Sequence, residues 1–172
     1  MKKVERIALS GLFASFSLLL SFIGHYLVIP MFLGFKLDIS DFPIFTSTLL
    51  FGSSYGYIIL FAVSFIRTLS FSIAGWPGFF MRFSSFISIF FLGLFYKKKK
   101  KLTFYSLISI VSYILLKIPI SYIFWTKFNS MSHDQILSLI LPVIIPCNLI
   151  RIAINVLLSI FLYKKIKYKI KE

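Results

Sequence analysis

The feature that most limits this chain is the alternation of long apolar runs with blocks of lysine. Residues 7–29, 77–96, 102–125 and 136–163 are four such runs. Each supplies the roughly 20 residues that an α-helix needs to cross a bilayer's hydrocarbon layer. The cations gather beside them, as Lys2, Lys3 and Arg6, as Lys97 to Lys101, and as Lys164, Lys165, Lys167, Lys169 and Lys171. At 59% hydrophobic residues, the chain exceeds the roughly 45–50% typical of soluble domains. The net charge of +14 would suit nucleic acid, but lysine blocks abutting apolar runs are instead the mark of cytoplasmic loops between spans. Such blocks also suit anionic headgroups.

The run from Phe42 to Ala74 is long for one helix and short for two. Charge placement decides. As one span it would put the basic blocks on opposite sides of the membrane; as two it puts all three on one side, as the positive-inside rule requires. The break is expected within "FGSSYG", residues 51–56, whose glycines and serines favour a turn. The expected fold is an all-α integral membrane protein, one membrane domain over 1–172. Its six-transmembrane-helix bundle has spans at about 7–29, 41–53, 55–74, 77–96, 102–125 and 136–163, with both termini cytoplasmic. The two helices of the divided run are expected at about 15–18 residues each. The basic, apolar start lacks a small-residue cleavage pattern, so span 1 reads as uncleaved. Residues 30–41, 75–77 and 126–135 then face outward, which puts Asp38 and Asp41, two of only five acidic residues, at the outer surface.

Arg67, Arg82, Lys117, Asn148 and Arg151 fall inside these spans. A cation there costs about 2.5–3.5 kcal/mol on insertion scales and normally faces the bundle interior or a wet cavity. Plainer readings exist. Arg67 and Arg82 can snorkel to headgroups. Lys117 can serve a carbonyl freed by Pro119. Asn148 can bond a neighbouring helix, and Asp41 or Ser40 can cap the helix that starts at "SDFP". As a set, however, polar groups converging beneath one loop describe a small-solute pocket, with Trp76, Phe79, Phe80, Phe83 and Tyr122 available to line it. Pro142 and Pro146 should bend the last span. Catalytic and metal-binding patterns are lacking: Cys147 is alone and reads as a small filler, and neither His25 nor His133 has a partner at ligand spacing. The chain is expected not to be an enzyme. A membrane enzyme acting on a lipid-linked substrate would need a carboxylate or histidine at the depth of Arg151, and none is there. A stand-alone secondary carrier or channel for a small anionic solute is the main rival to a binding subunit.

Two segments carry a family resemblance. "KLDISDFPIFTSTLLFGSSYGYIILFAVSFIRTLSF" is similar to the first loop and following helices of riboflavin-specific S components of energy-coupling factor (ECF) transporters, with a D-x-S-D-x-P signature at Asp38, Ser40, Asp41 and Pro43 and an F-G at Phe51 and Gly52. "IPCNLIRIAINVLLSIFLYKKI" resembles their last helix, where an N-x-x-K pair helps hold the ligand; here the pair is Asn148 and Arg151. Where that group commonly has Lys-Asn this chain has Arg67 and Thr68, and G-E-x-x-N reads Gly78, Phe79, Phe80, Met81, Arg82. The resemblance implies a substrate-binding subunit of an ECF-type importer in a bacterial cell membrane. Its partners would be a transmembrane coupling subunit and two ATPase subunits. It implies riboflavin or another vitamin as transported ligand rather than a cofactor, and Asp38, Asp41, Arg67, Trp76, Gly78, Arg82, Lys117, Asn148 and Arg151 as ligand contacts. The substitutions make that pocket more cationic and suit a more acidic solute. The family docks on its coupling subunit through small residues of the first helix, which here are Ser10, Gly11 and Ala14.

Overall fold

In the computed structural model the described residues are 3–26, 37–70, 75–98, 101–128 and 130–171. They form eight α-helices: α1 (Lys3–Tyr26), α2 (Phe42–Phe51), α3 (Ser53–Ser70), α4 (Gly75–Phe83), α5 (Phe86–Lys98), α6 (Leu102–Phe128), α7 (His133–Leu139) and α8 (Ile145–Lys171). One π-helical turn, Ile140–Ile144, joins α7 to α8. Taken as α1, α2, α3, α4 with α5, α6, and α7 with α8, they make the six rods expected of the bundle.

The patterning is inverted relative to a soluble helix. On α1 the buried residues include Ser10, Ser17 and Ser21, while Leu12, Phe16, Leu19, Phe22 and Ile23 face out. In hydrocarbon the apolar face needs no burial, so polar and small residues turn inward, where they can bond and let helices approach. Helix α2 is buried almost all round, from Pro43 to Leu49, and it is the centre of the bundle. Ile44, Phe45 and Leu49 pack with Leu60, Val63, Ile89, Leu92, Tyr113, Ile152 and Val156.

The division of the Phe42–Ala74 run falls at Gly52, inside the expected segment. Its φ of 101° is a backbone state that side chains disfavour. A Cβ there would also sit 3.1 Å from the Tyr96 ring. The division is unequal, however, giving helices of 10 and 18 described residues. Gly56 lets α3 close on α2 and α5, since its missing Cβ would overlap Thr48 Oγ1 and lie 2.9 Å from Ile89 Cγ2.

Three boundaries differ from the sequence reading. The fourth span is two helices, broken at Ser84–Ser85 without glycine or proline. Residues 75–77, read as a loop, form the first turn of α4, with Pro77 where a missing N–H costs nothing. The last span starts three residues earlier, at His133, where Ser132 and Gln135 form a capping box, and its helix continues to Lys171. Where a bend was expected, a π turn containing Pro142 interrupts the span, and Pro146 lies in the first turn of α8. Residues 30–36 of the expected outer loop, and 27–29 and 71–74 at the expected ends of spans 1 and 3, lie outside the described residues.

Candidate functional site

Asp38 and Asp41 are not at the surface. The backbone carbonyl of Ser40 accepts a 2.6 Å bond from Ser17 Oγ, and Ser17 lies nine residues before the end of α1 at Tyr26. At 1.5 Å per residue the segment 38–41 therefore sits about 13 Å down the bundle from that helix end. Asn155 of α8, buried, donates from Nδ2 to the carbonyl of Asp38 at 2.9 Å. The expectation of surface carboxylates is corrected. The physical reason is charge: cations fixed deep in an apolar bundle draw their counter-ions down to them.

Three helices supply those cations. Asp38 Oδ2 faces Arg67 Nη1 of α3 at 2.6 Å, Arg82 Nη1 of α4 at 3.4 Å and Arg151 Nη2 of α8 at 3.6 Å. Asp41 meets Arg82 Nη2 through Oδ1 at 2.9 Å and Arg151 Nη2 through Oδ2 at 3.0 Å. Ser85 Oγ, at the break between α4 and α5, donates to Asp41 Oδ2 at 3.3 Å. Asp38 Oδ1 accepts from Ser40 N and Oγ, and Ser40 Oγ in turn accepts from Arg82 Nη2 at 2.8 Å. Asp41 occupies the N-cap position of α2 but makes no side-chain cap bond; its carboxylate is committed to arginine.

Lys117 comes close without joining the ion pairs. Its Nζ donates to the Met81 carbonyl at 2.7 Å and to Ser84 Oγ at 3.4 Å. It thus serves a carbonyl at the end of α4, not one freed by Pro119 on its own helix. Three arginines against two carboxylates leave an excess of one positive charge among the ion pairs of the described core, with Lys117 beside them.

Of the nine residues expected at the site, five of the six charged ones, Asp38, Asp41, Arg67, Arg82 and Arg151, are joined in one ion-pair network, and the sixth, Lys117, stands beside it. Asn148 turns to its own helix and donates to the Ile144 carbonyl in the π turn at 2.7 Å. It and Lys117 line a narrow crevice between α6 and α8 with Ile114, Ile118, Ile144 and Ile145, too tight to hold a water. Trp76 is 56% exposed, and its ring rests on Phe65 and Phe79. Gly78 lies in α4, one turn before Arg82. Phe83 lines an apolar groove of about 560 Å³ with Tyr57, Phe61 and Phe86, and Tyr122 bonds His133 at 2.7 Å. On α1, Ser10 is turned inward, Ala14 packs against the core, and Gly11 is exposed. Sequence reasoning missed Ser17, Ser21, Ser85 and Asn155. Asn155 carried a signal: it follows Arg151 by four residues and shares its helix face.

The fold and this buried charge cluster can be set against known proteins. A family model described as ECF transporter, substrate-specific component, matches residues 5–163. The chain belongs to that family. The bundle also superposes on the S component of a bacterial ECF transporter with a TM-score of 0.81, covering 99% of this chain and 100% of the other at 21% identity. At that identity the likeness speaks to the fold alone. A search of curated proteins returns no match. As an S component the protein is a substrate-binding transport subunit that works with an ECF module, not an enzyme, and its bundle lies in a membrane.

Proposed function

We propose that this S component takes up a vitamin such as riboflavin, or a related small molecule, in the bacterial cell membrane. Asp38, Asp41, Arg67, Arg82 and Arg151 would form its principal ligand site. The observation that carries this reading is the convergence of those five side chains, from one loop segment and three helices, on one buried point. Five ionised groups do not stabilise an apolar bundle as well as apolar residues would, so a polar ligand gives their retention a reason. Lys117 and Asn148, side by side at the neighbouring gap, extend the contact set, and Trp76 and Gly78 mark its edge on α4. The choice of a flavin rests on the likeness of the Asp38–Pro43 signature and the Asn148/Arg151 pair to riboflavin-specific S components.

Transport in this reading needs a transmembrane coupling subunit and two ATPases, docked on the exposed side of α1 at Gly11, with Ser10 and Ala14 letting α1 seat closely on its own bundle. The termini and all three basic blocks lie in the cytoplasm. The test is uptake of labelled riboflavin by proteoliposomes holding the chain with or without an ECF module. Uptake that needs both the module and ATP supports the reading. Uptake by the chain alone would establish the rival, a self-contained carrier.

A further inference from the structure

We propose that Asp38 is an internal stand-in for an anionic group on the solute, so that the solute carries a carboxylate or phosphate which takes over the arginines from Asp38. The inference rests on the reading above, that this cluster is the solute site. One carboxylate oxygen, Asp38 Oδ2, is faced by three guanidinium groups from three different helices. Guanidinium forks match planar carboxylate and tetrahedral phosphate, and three around one oxygen make an oxyanion cage. The carboxylate that fills it comes from a loop segment, whereas the arginines sit on helices. The cage is therefore the more fixed partner and Asp38 the exchangeable one.

Charge supports the same assignment: Asp41 is paired with Arg82 and Arg151, and the three arginines outnumber the two carboxylates by one. An arriving carboxylate would replace the charge of Asp38 one for one, and a phosphate dianion would also cancel the remaining positive excess, whereas an uncharged solute would have to leave the pairs as they are. Two further groups could serve it. Arg82 Nε and Asn155 Oδ1 are buried without a hydrogen-bond partner among the described residues, one a donor and one an acceptor. Asp38, Arg67 and Arg151 are also the more accessible members, at 15%, 28% and 19% side-chain exposure against 2% for Asp41 and 5% for Arg82, so a solute would reach the Asp38 side of the cluster before the Asp41 side.

The purified protein would be titrated with riboflavin and with riboflavin 5′-phosphate, following quenching of flavin fluorescence. The phosphate ester is expected to bind roughly tenfold tighter or better, as one added charge-assisted bond allows. Asp38→Asn should tighten binding of the ester further, because the internal competitor is weakened. A residue that merely holds the fold, or contacts the solute directly, would give the opposite sign. Should Asp38→Asn not fold, Ser40→Ala loosens the same carboxylate without changing any charge and should shift affinity the same way. Equal or weaker binding of the ester overturns the inference while leaving the subunit assignment intact. If neither flavin binds, the choice of a flavin falls, and inorganic phosphate decides. Phosphate should raise the melting temperature of Asp38→Asn but not of the parent protein, and no such rescue would overturn the cage.

Discussion

Replacing Arg82 with methionine probes the cluster at its tightest point. Arg82 is 5% exposed and spans Asp41, Ser40, Asp38 and Ser21, at 2.9, 2.8, 3.4 and 3.3 Å. Removing one partner of a buried ion pair costs about 3–5 kcal/mol, chiefly because the other charge stays buried. Two features move the figure to the lower end. Each carboxylate keeps another arginine, Arg67 for Asp38 and Arg151 for Asp41, and the loss of one cation relieves the positive excess. We therefore expect about 3 kcal/mol, which at roughly 2–4 °C per kcal/mol for a chain of this size lowers the melting temperature by about 6–12 °C. Arg67→Met, at a partner 28% exposed, should cost only about 1 kcal/mol. The assay is thermal unfolding of both variants and the parent in one detergent. The Asp41→Asn/Arg82→Met double variant should recover part of the loss. If Arg82→Met is no more damaging than Arg67→Met, the buried network described here is not what holds segment 38–41 in place.

Other consequences are as direct. Gly56→Val should destabilise by roughly 1–3 kcal/mol through overpacking against Thr48 and Ile89, measured by the same melts. Gly11→Val, where an added Cβ meets nothing within 4 Å, should leave the melt unchanged yet reduce co-purification with a coupling subunit. Lys117→Met removes the donor to the Met81 carbonyl and should lower stability by about 1–3 kcal/mol, the cost of leaving a buried acceptor unpaired.

The helices that announce themselves in the sequence are those whose ends are marked by charge or by glycine. Lysines bound span 4 and the last span, and Gly52 divides the central run because its φ of 101° needs glycine. The break at Ser84–Ser85 was not legible. Nothing local forces it, and it is sustained by tertiary bonds from Lys117 to Met81 and Ser84 and from Ser85 to Asp41. The site shows the same division. Arg67, Arg82 and Arg151 stood out because cations inside apolar runs are costly anywhere. The depth of Asp38 and Asp41 did not, since a loop's hydrophilic residues look the same whether they sit in water or are drawn down by arginines from distant helices. Trp76 was assigned to the site for its chemistry, but its ring lies on the exposed side of α4, a matter of helix rotation that one aromatic residue cannot reveal.

The most direct test of the account is native mass spectrometry of the protein purified without added ligand, beside Arg151→Ala. Arg151 pairs with both carboxylates yet is 19% exposed, so its loss should spare the fold more than the site. The parent protein should carry a small-molecule adduct, a flavin or related compound, and folded Arg151→Ala should have lost it. An adduct kept by the folded variant would contradict the assignment of this charge cluster as the solute site.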